Sequence, residues 1–250
     1  VNREIPDRWT LGPDHVDLRR PVVTARAVTL DAAPQRLTLD LTRTAVVVVD
    51  LQNDFCHPDG WLASIGVDVS GALAPVEPLV QTLPLLREAG ARVVWLNWGN
   101  RPDQANLPPG VRHVYDPDGS STGIGDPLPN GSHVLEEGSW SAALVEGLVP
   151  EPGDVHVAKY RMSGFFDTPL DSVLRRLRVD TLLFAGVNVD QCVLATLSDA
   201  ACLGYDVVLV EDFCATTSPQ FCTDATLYNV RQVFGFTTTS AYLRDALTAS

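Results

Sequence analysis

Three side chains able to do nucleophilic chemistry stand at the ends of apolar runs. Asp50 closes VVVVD, Lys159 closes DVHVAK, and Cys192 follows TLLFAGV after a short turn, GVNVDQCV, residues 186–193. A thiol attacks best as the thiolate, which an adjacent base, positive surroundings or a helix N-terminus favours. Asp50 can take the thiol proton, while Lys159 can hold that carboxylate ionised and stabilise nearby negative charge. Backbone N–H groups around GVNVDQC are placed to receive the oxyanion of an attacked carbonyl. With the proton returned from Asp50 to a leaving nitrogen, this is an amide hydrolysis that uses no metal. Each residue also has a plainer use: Asp as a helix cap or turn residue, Lys as a solvated strand end, Cys as a small core filler.

What must position these groups is legible as alternating strands and helices. TAVVVVD (44–50) is a β-branched run of the kind buried on both faces, and DTLLFAGV (180–187) is another. ARVVWLNW (91–98), DVHVAK (154–159), YDVVLVED (205–212) and FTTT (236–239) read as further strands. Helical stripes fall at 75–89, interrupted by Pro84 and ended by Gly90, at 139–149, at 168–177 with Thr168 as N-cap and Pro169 in the first turn, after Cys192, and at 218–234. The alternation predicts parallel strands joined by right-handed crossovers: one α/β domain over 44–250, a doubly wound, mostly parallel sheet with helices on both faces. In such a sheet ligands bind beyond the carboxyl ends of the strands, where Asp50, Lys159 and Cys192 all emerge. Residues 1–43 lack a clear period and read as an N-terminal arm. The stretch 99–132, rich in Gly, Pro, Asp and Asn, reads as a long binding loop.

Composition narrows the partners. A formal net charge of −13 argues against nucleic acid and anionic membrane, which need basic surface. No apolar run reaches membrane-spanning length, and the polar, proline-broken N-terminus is unlike a secretory signal. Five cysteines without paired spacing suit a reducing cytoplasm better than a disulfide framework.

DLQNDF (50–55), Lys159 after its strand, and GVNVDQCV in this order resemble the isochorismatase-like cysteine hydrolase family over about residues 40–245. The resemblance implies a catalytic triad of Asp50, Lys159 and Cys192. It also implies a cis peptide at Val187–Asn188 and an oxyanion hole made by the backbone N–H groups of Asn188 and Cys192. Nicotinamidase-like relatives carry an Asp-x-His metal pair where this chain has NWGN (97–100), so no metal and no cofactor is expected. Isochorismate-cleaving members lack the cysteine, so Cys192 favours C–N hydrolysis.

KYRMSGFFDTPLDSVL (159–174) and ATLYNVRQVFGF (225–236) resemble the ureidoacrylate amidohydrolase branch, whereas NRPDQANLPPGVRH (100–113) and GIGDP (123–127) are more similar to biuret hydrolases. Both resemblances imply a small linear ureide or amide as substrate. Another amidase of the family, acting on a carbamoyl amino acid or a maleamate-like acid, stays open, as does a non-catalytic binding protein on the same fold. Candidate substrate contacts are the amides of Asn53, Asn97, Gln191 and Asn229, the aromatic walls Phe55, Trp98 and Phe165, and Arg161 as a carboxylate clamp. Position 167 is Asp where the ureidoacrylate branch would have Asn, which adds a negative charge. A homodimer or homotetramer is the assembly the resemblance suggests.

Overall fold

The computed structural model describes residues 8–249. The first seven residues of the arm expected over 1–43, and Ser250 at the end of the domain expected over 44–250, lie outside the described residues. The chain opens with β1 (Thr10–Leu11) and β2 (Val16–Asp17), an antiparallel pair, followed by a hairpin of β3 (Ala27–Leu30) and β4 (Leu37–Asp40). Then come β5 (Thr44–Val49), α1 (Asn53–Cys56), α2 (Trp61–Ser64), α3 (Val76–Ala89) and β6 (Arg92–Trp98). After α4 (Pro109–Arg112), β7 (Val155–Lys159), α5 (Leu170–Arg176) and β8 (Thr181–Gly186), the chain continues through α6 (Leu194–Cys202), β9 (Asp206–Cys214), α7 (Gln220–Asn229), β10 (Phe236–Thr238) and α8 (Ser240–Thr248).

Six strands form one sheet in the order β10-β9-β8-β5-β6-β7, and every pairing in it is parallel. Parallel neighbours require crossovers, and these carry helices that cover the sheet; every residue of β5 and β8 is buried, as their unbroken apolar runs require. From β5 the chain moves outward through β6 and β7, then returns to lay β8 on the other side of β5. The strand order therefore reverses between β5 and β8, the place where open α/β sheets bind ligands. Asp50 leaves one of these strands and the Cys192 turn leaves the other.

Several elements differ from expectation. Residues 139–149 form turns, not a helix, because their carbonyls serve the segment after β5. The Ser141 and Ala143 carbonyls accept from the backbone N–H groups of Asp54 and Asn53, the Trp140 and Ala142 carbonyls from the side chains of Asn53 and Gln52, and Val145 N–H donates to Leu51. A helix would have turned those carbonyls along its own axis. Within the segment read as an arm, the β3–β4 hairpin packs on the domain: Val28 and Leu30 are buried and Ala33 pairs with Thr237 of β10. The hairpin and α8 were not anticipated. Against expectation, α5 begins at Leu170 with Pro169 as its N-cap residue, although the Thr168 hydroxyl one residue earlier accepts from Leu170 N–H at 3.1 Å.

Candidate active site

Asp50 is the first residue past β5 and turns the chain off the strand with a positive φ of 52°, a strained setting for a non-glycine residue. Its side chain is fully buried, as is that of Lys159, the only lysine in the sequence. Lys159 stands on β7, two strands from β5, so its long side chain must cross the end of β6. It does so against the ring of Trp98, with Nζ 4.2 Å from the ring centroid, and ends 2.6 Å from Asp50 Oδ2. Nζ also donates to the Arg161 carbonyl at 3.2 Å. Burial pushes the Asp50 carboxyl above its ordinary value, with Lys159 pulling the other way. Burial opposes the Lys159 charge as well, but Asp50 and the neighbouring Cys192 outweigh it and raise the ammonium's pKa.

Cys192 reaches the same spot from β8. Gly186 ends that strand with φ 119°, and a Cβ there would sit 1.9 Å from the Val49 carbonyl oxygen, so only glycine lets the two central strands separate at this point. The Val187–Asn188 peptide that follows is cis. Residues 189–193 form a wide π-type turn, with Val193 N–H reaching back five residues to the Asn188 carbonyl at 3.3 Å, and α6 begins only at Leu194. Cys192 therefore lies on this turn and not in the first turn of α6. Thr196 anchors it: its hydroxyl donates to the Cys192 carbonyl at 2.7 Å and accepts from Gly164 N–H at 3.1 Å. Asn188 ties the turn to the loop after β9, accepting from Thr217 N–H at 3.1 Å and donating to the Thr217 hydroxyl at 3.2 Å.

The thiol interacts with both Asp50 and Lys159, and its sulfur lies 3.8 Å from Sδ of Met162, the only methionine. Burial pushes the Cys192 pKa up to about 12; Lys159 lowers it and Asp50 raises it. Burial therefore works against the thiolate here. Proton transfer has to accompany attack, and a carboxyl of raised basicity stands next to the sulfur to receive it.

The segment after Asp50 supports this arrangement. Gln52, fully buried, accepts from Trp98 N–H at 2.7 Å and donates to the Trp98 and Ala142 carbonyls at 2.8 and 2.6 Å, clamping β6 to the turn region. Asp54 accepts from the N–H groups of Trp61 (3.2 Å) and Leu135 (2.8 Å). Sequence reasoning missed Gln52 as a positioning residue, although it sits inside the DLQNDF run that drew attention to Asp50.

Next to the Cys192 turn opens a cavity of about 810 Å³, whose walls include Tyr115, Met162, Asp190, Gln191 and Ser218; Asp50, Lys159 and Cys192 do not themselves line it, and Met162 is the wall residue that touches the sulfur. Gln191 lines the cavity, bonded to the Tyr115 hydroxyl at 3.1 Å. Phe55 packs edge-on against Trp61 and Trp98, and Trp61 in turn packs edge-on against Tyr115. Trp98 is a buried platform for Lys159, its indole N–H donating to Asn100. Asn53 commits its amide N–H to the Trp140 carbonyl at 2.9 Å.

Of the candidate contacts, Asn53, Phe55, Asn97, Trp98, Arg161, Phe165 and Asn229 are not among the residues that line this cavity. Asn97 lies on the face of β6 opposite Trp98, because successive strand side chains alternate. Phe165 packs 6.0 Å from Tyr205, the residue before β9. Asn229 is exposed at the end of α7, away from the cavity walls. Arg161 is held by Asp167 at 3.0 Å and by the Asn106 and Tyr160 carbonyls. Tyr115 and Met162 were missed; Tyr115 carries no local signal in the long loop, and Met162's one clue is its place three residues after Lys159. Among the described residues, no group of three or more His, Cys, Asp or Glu side chains is gathered to hold a metal ion, and no helix is long and apolar enough to cross a membrane.

Residues 44–242 match the isochorismatase domain family. The chain is 37% identical to the ureidoacrylate amidohydrolase RutB of Azorhizobium caulinodans over 218 residues, covering 87% of this chain and 96% of the relative. It is 38% identical to the protein of the same name from Agrobacterium fabrum over 213 residues, covering 85% and 93%. Among solved structures, a cysteine hydrolase from Pseudomonas syringae pv. phaseolicola is similar with a TM-score of 0.71 and 28% identity, covering 84% of this chain and 95% of that one. An N-carbamoylsarcosine amidase from Thermoplasma acidophilum is similar with a TM-score of 0.61 and 27% identity, covering 79% and 96%. The six-stranded parallel sheet, its helices and the extent of these matches lead to one conclusion: the chain belongs to the isochorismatase family.

Proposed function

We propose that this protein is a cysteine amidohydrolase that cleaves a C–N bond of a small linear ureide, of biuret, triuret or ureidoacrylate type, through an acyl-cysteine intermediate. The observation that carries the proposal is the buried meeting of a thiol, a carboxyl and the chain's only lysine at the strand-order reversal. Asp50 takes the Cys192 proton as sulfur attacks the carbonyl carbon. The N–H groups of Asn188 and Cys192 receive the oxyanion. As the tetrahedral intermediate collapses, the C–N bond breaks and Asp50 returns the proton to the nitrogen, which leaves as ammonia. Asp50 then deprotonates a water that attacks the thioester, and the acyl group departs as the acid or carbamate while sulfur regains its proton. Lys159 keeps Asp50 oriented and compensates the negative charge as it passes between carboxylate and sulfur.

The amidohydrolase names of the 37–38% identical relatives support hydrolysis of a small amide or ureide. The likeness to an N-carbamoylsarcosine amidase favours a second reading, a carbamoyl amino acid as substrate. Ammonia release from biuret, triuret, ureidoacrylate, N-carbamoylsarcosine, maleamate and nicotinamide tests both, with Cys192→Ala as control. Release from a ureide that vanishes in Cys192→Ala is expected; native-rate release by that variant would overturn the covalent mechanism. The assembly we propose, a homodimer or homotetramer, is supported by the exposed Phe221, Tyr228 and Val233 along α7 and the turn after it, and light scattering reads it directly.

A further inference from the structure

Resting on the ureide reading, we infer that the substrate enters this site uncharged and that carboxylate-bearing ureides are discriminated against. Positive charge around the site is cancelled pair by pair. The only lysine is buried against Asp50. The arginines between residues 99 and 167 each pair with an acid: Arg101 with Asp103 at 2.6 Å, Arg112 with Asp126 at 3.2 Å, and Arg161 with Asp167 at 3.0 Å. No lysine or arginine lines the cavity among the described residues, whereas Asp190 does.

The remaining polar wall is made of neutral groups that donate and accept. Tyr115 and Gln191 exchange hydrogen bonds at 3.1 and 3.3 Å, and Gln191 also donates to the Ser218 hydroxyl at 3.4 Å. A neutral ureide, a planar chain of N–H donors and C=O acceptors, satisfies such a wall. A carboxylate would leave water without a cation to meet it and would face Asp190, which at a separation of a few ångströms costs on the order of tenfold or more in affinity. Arg161 is the group poised for the opposite preference. It immediately precedes Met162 of the cavity wall, and the Asn106 and Tyr160 carbonyls would still hold its guanidinium if Asp167 lost its charge.

The test compares kcat/KM for biuret and ureidoacrylate in the wild type, Asp167→Asn and Asp190→Asn, with Cys192→Ala as the blank and thermal melting to confirm folding. The wild-type ratio should favour biuret on the order of tenfold, and each Asn variant should move the ratio toward ureidoacrylate by a comparable factor. A wild type that prefers ureidoacrylate, or a ratio that neither variant moves, overturns the inference and leaves the cysteine hydrolase intact. Absence of Cys192-dependent turnover on both compounds overturns the ureide reading, and the inference with it.

Discussion

The ammonium of Lys159 lies 2.6 Å from Oδ2 of Asp50 with both side chains withdrawn from solvent, although they leave strands separated by a third. Neither charge is tolerable there alone, so the pair couples folding to catalysis.

Replacing Lys159 with Met should therefore damage stability as well as activity. The Asp50 carboxyl would remain buried without its partner, at a cost of about 3–5 kcal/mol. A urea midpoint measures this, and Asp50→Asn/Lys159→Met should recover much of the lost stability while remaining inactive. A Lys159→Met protein as stable as wild type would contradict the pairing.

The pH profile of turnover should show an acidic limb set by Asp50. Burial raises its pKa above the ordinary value near 3.8, and the carboxyl must be ionised to take the thiol proton. Activity is then present above that raised pKa and lost as pH falls through it. The profile of kcat/KM for a neutral substrate should place the midpoint above the ordinary carboxylate value.

Alkaline stability should fall because buried thiols resist ionisation. Burial pushes Cys56 and Cys192 up to about 12 from 9.0 and Cys214 upward as well. Above pH 9 the unfolded chain releases these protons while the folded chain retains them, so the unfolded state is favoured as pH rises. Each group contributes a slope of roughly 1.4 kcal/mol per pH unit until its folded pKa is reached. Melting temperature followed from pH 8 to 11 should drop, less steeply in Cys214→Ala. For the same reason iodoacetamide at pH 8 should label exposed Cys202 before Cys192.

Gly186→Ala should fail where Gly204→Ala succeeds. Both glycines have positive φ, but the new methyl at 186 meets the Val49 carbonyl oxygen at 1.9 Å, while nothing stands within 4 Å at 204. The second variant should lose about 1–2 kcal/mol and the first more than about 4 kcal/mol, read from denaturant unfolding.

Gln52→Ala should lower stability and turnover together. It strands the buried Trp98 N–H and carbonyl, each costing about 1–3 kcal/mol, leaves the half-buried Ala142 carbonyl without this donor, and frees the Trp98 platform on which Lys159 rests. A Gln52→Glu variant keeps an acceptor for Trp98 N–H but sets a buried carboxylate against the Trp98 and Ala142 carbonyl oxygens, and should be no milder.

Much of the fold was legible because a strand buried on both faces needs an unbroken β-branched run. TAVVVV and TLLFAG have no other comfortable home than the middle of a parallel sheet, and the residues at their ends follow to its ligand-binding edge. Local spacing also marked α3 between its first turn and Gly90. What neighbours in sequence could not encode was decided by contacts between distant segments. Residues 140–145 gave up a helix to satisfy the donors after β5, and strand order alone made Lys159 cross β6 beside Trp98. The directions of Asn97, Phe165 and Asn229 depended on which face met the core. So did the electrostatics: burial works against the Cys192 thiolate, and Arg161 is paired with Asp167. Residue type and spacing determined which chemistry the chain carries, because reactive groups and strand ends are local properties. Tertiary structure decided which of those groups meet, in what ionisation state and behind what wall, because desolvation and pairing exist only once remote segments have come together.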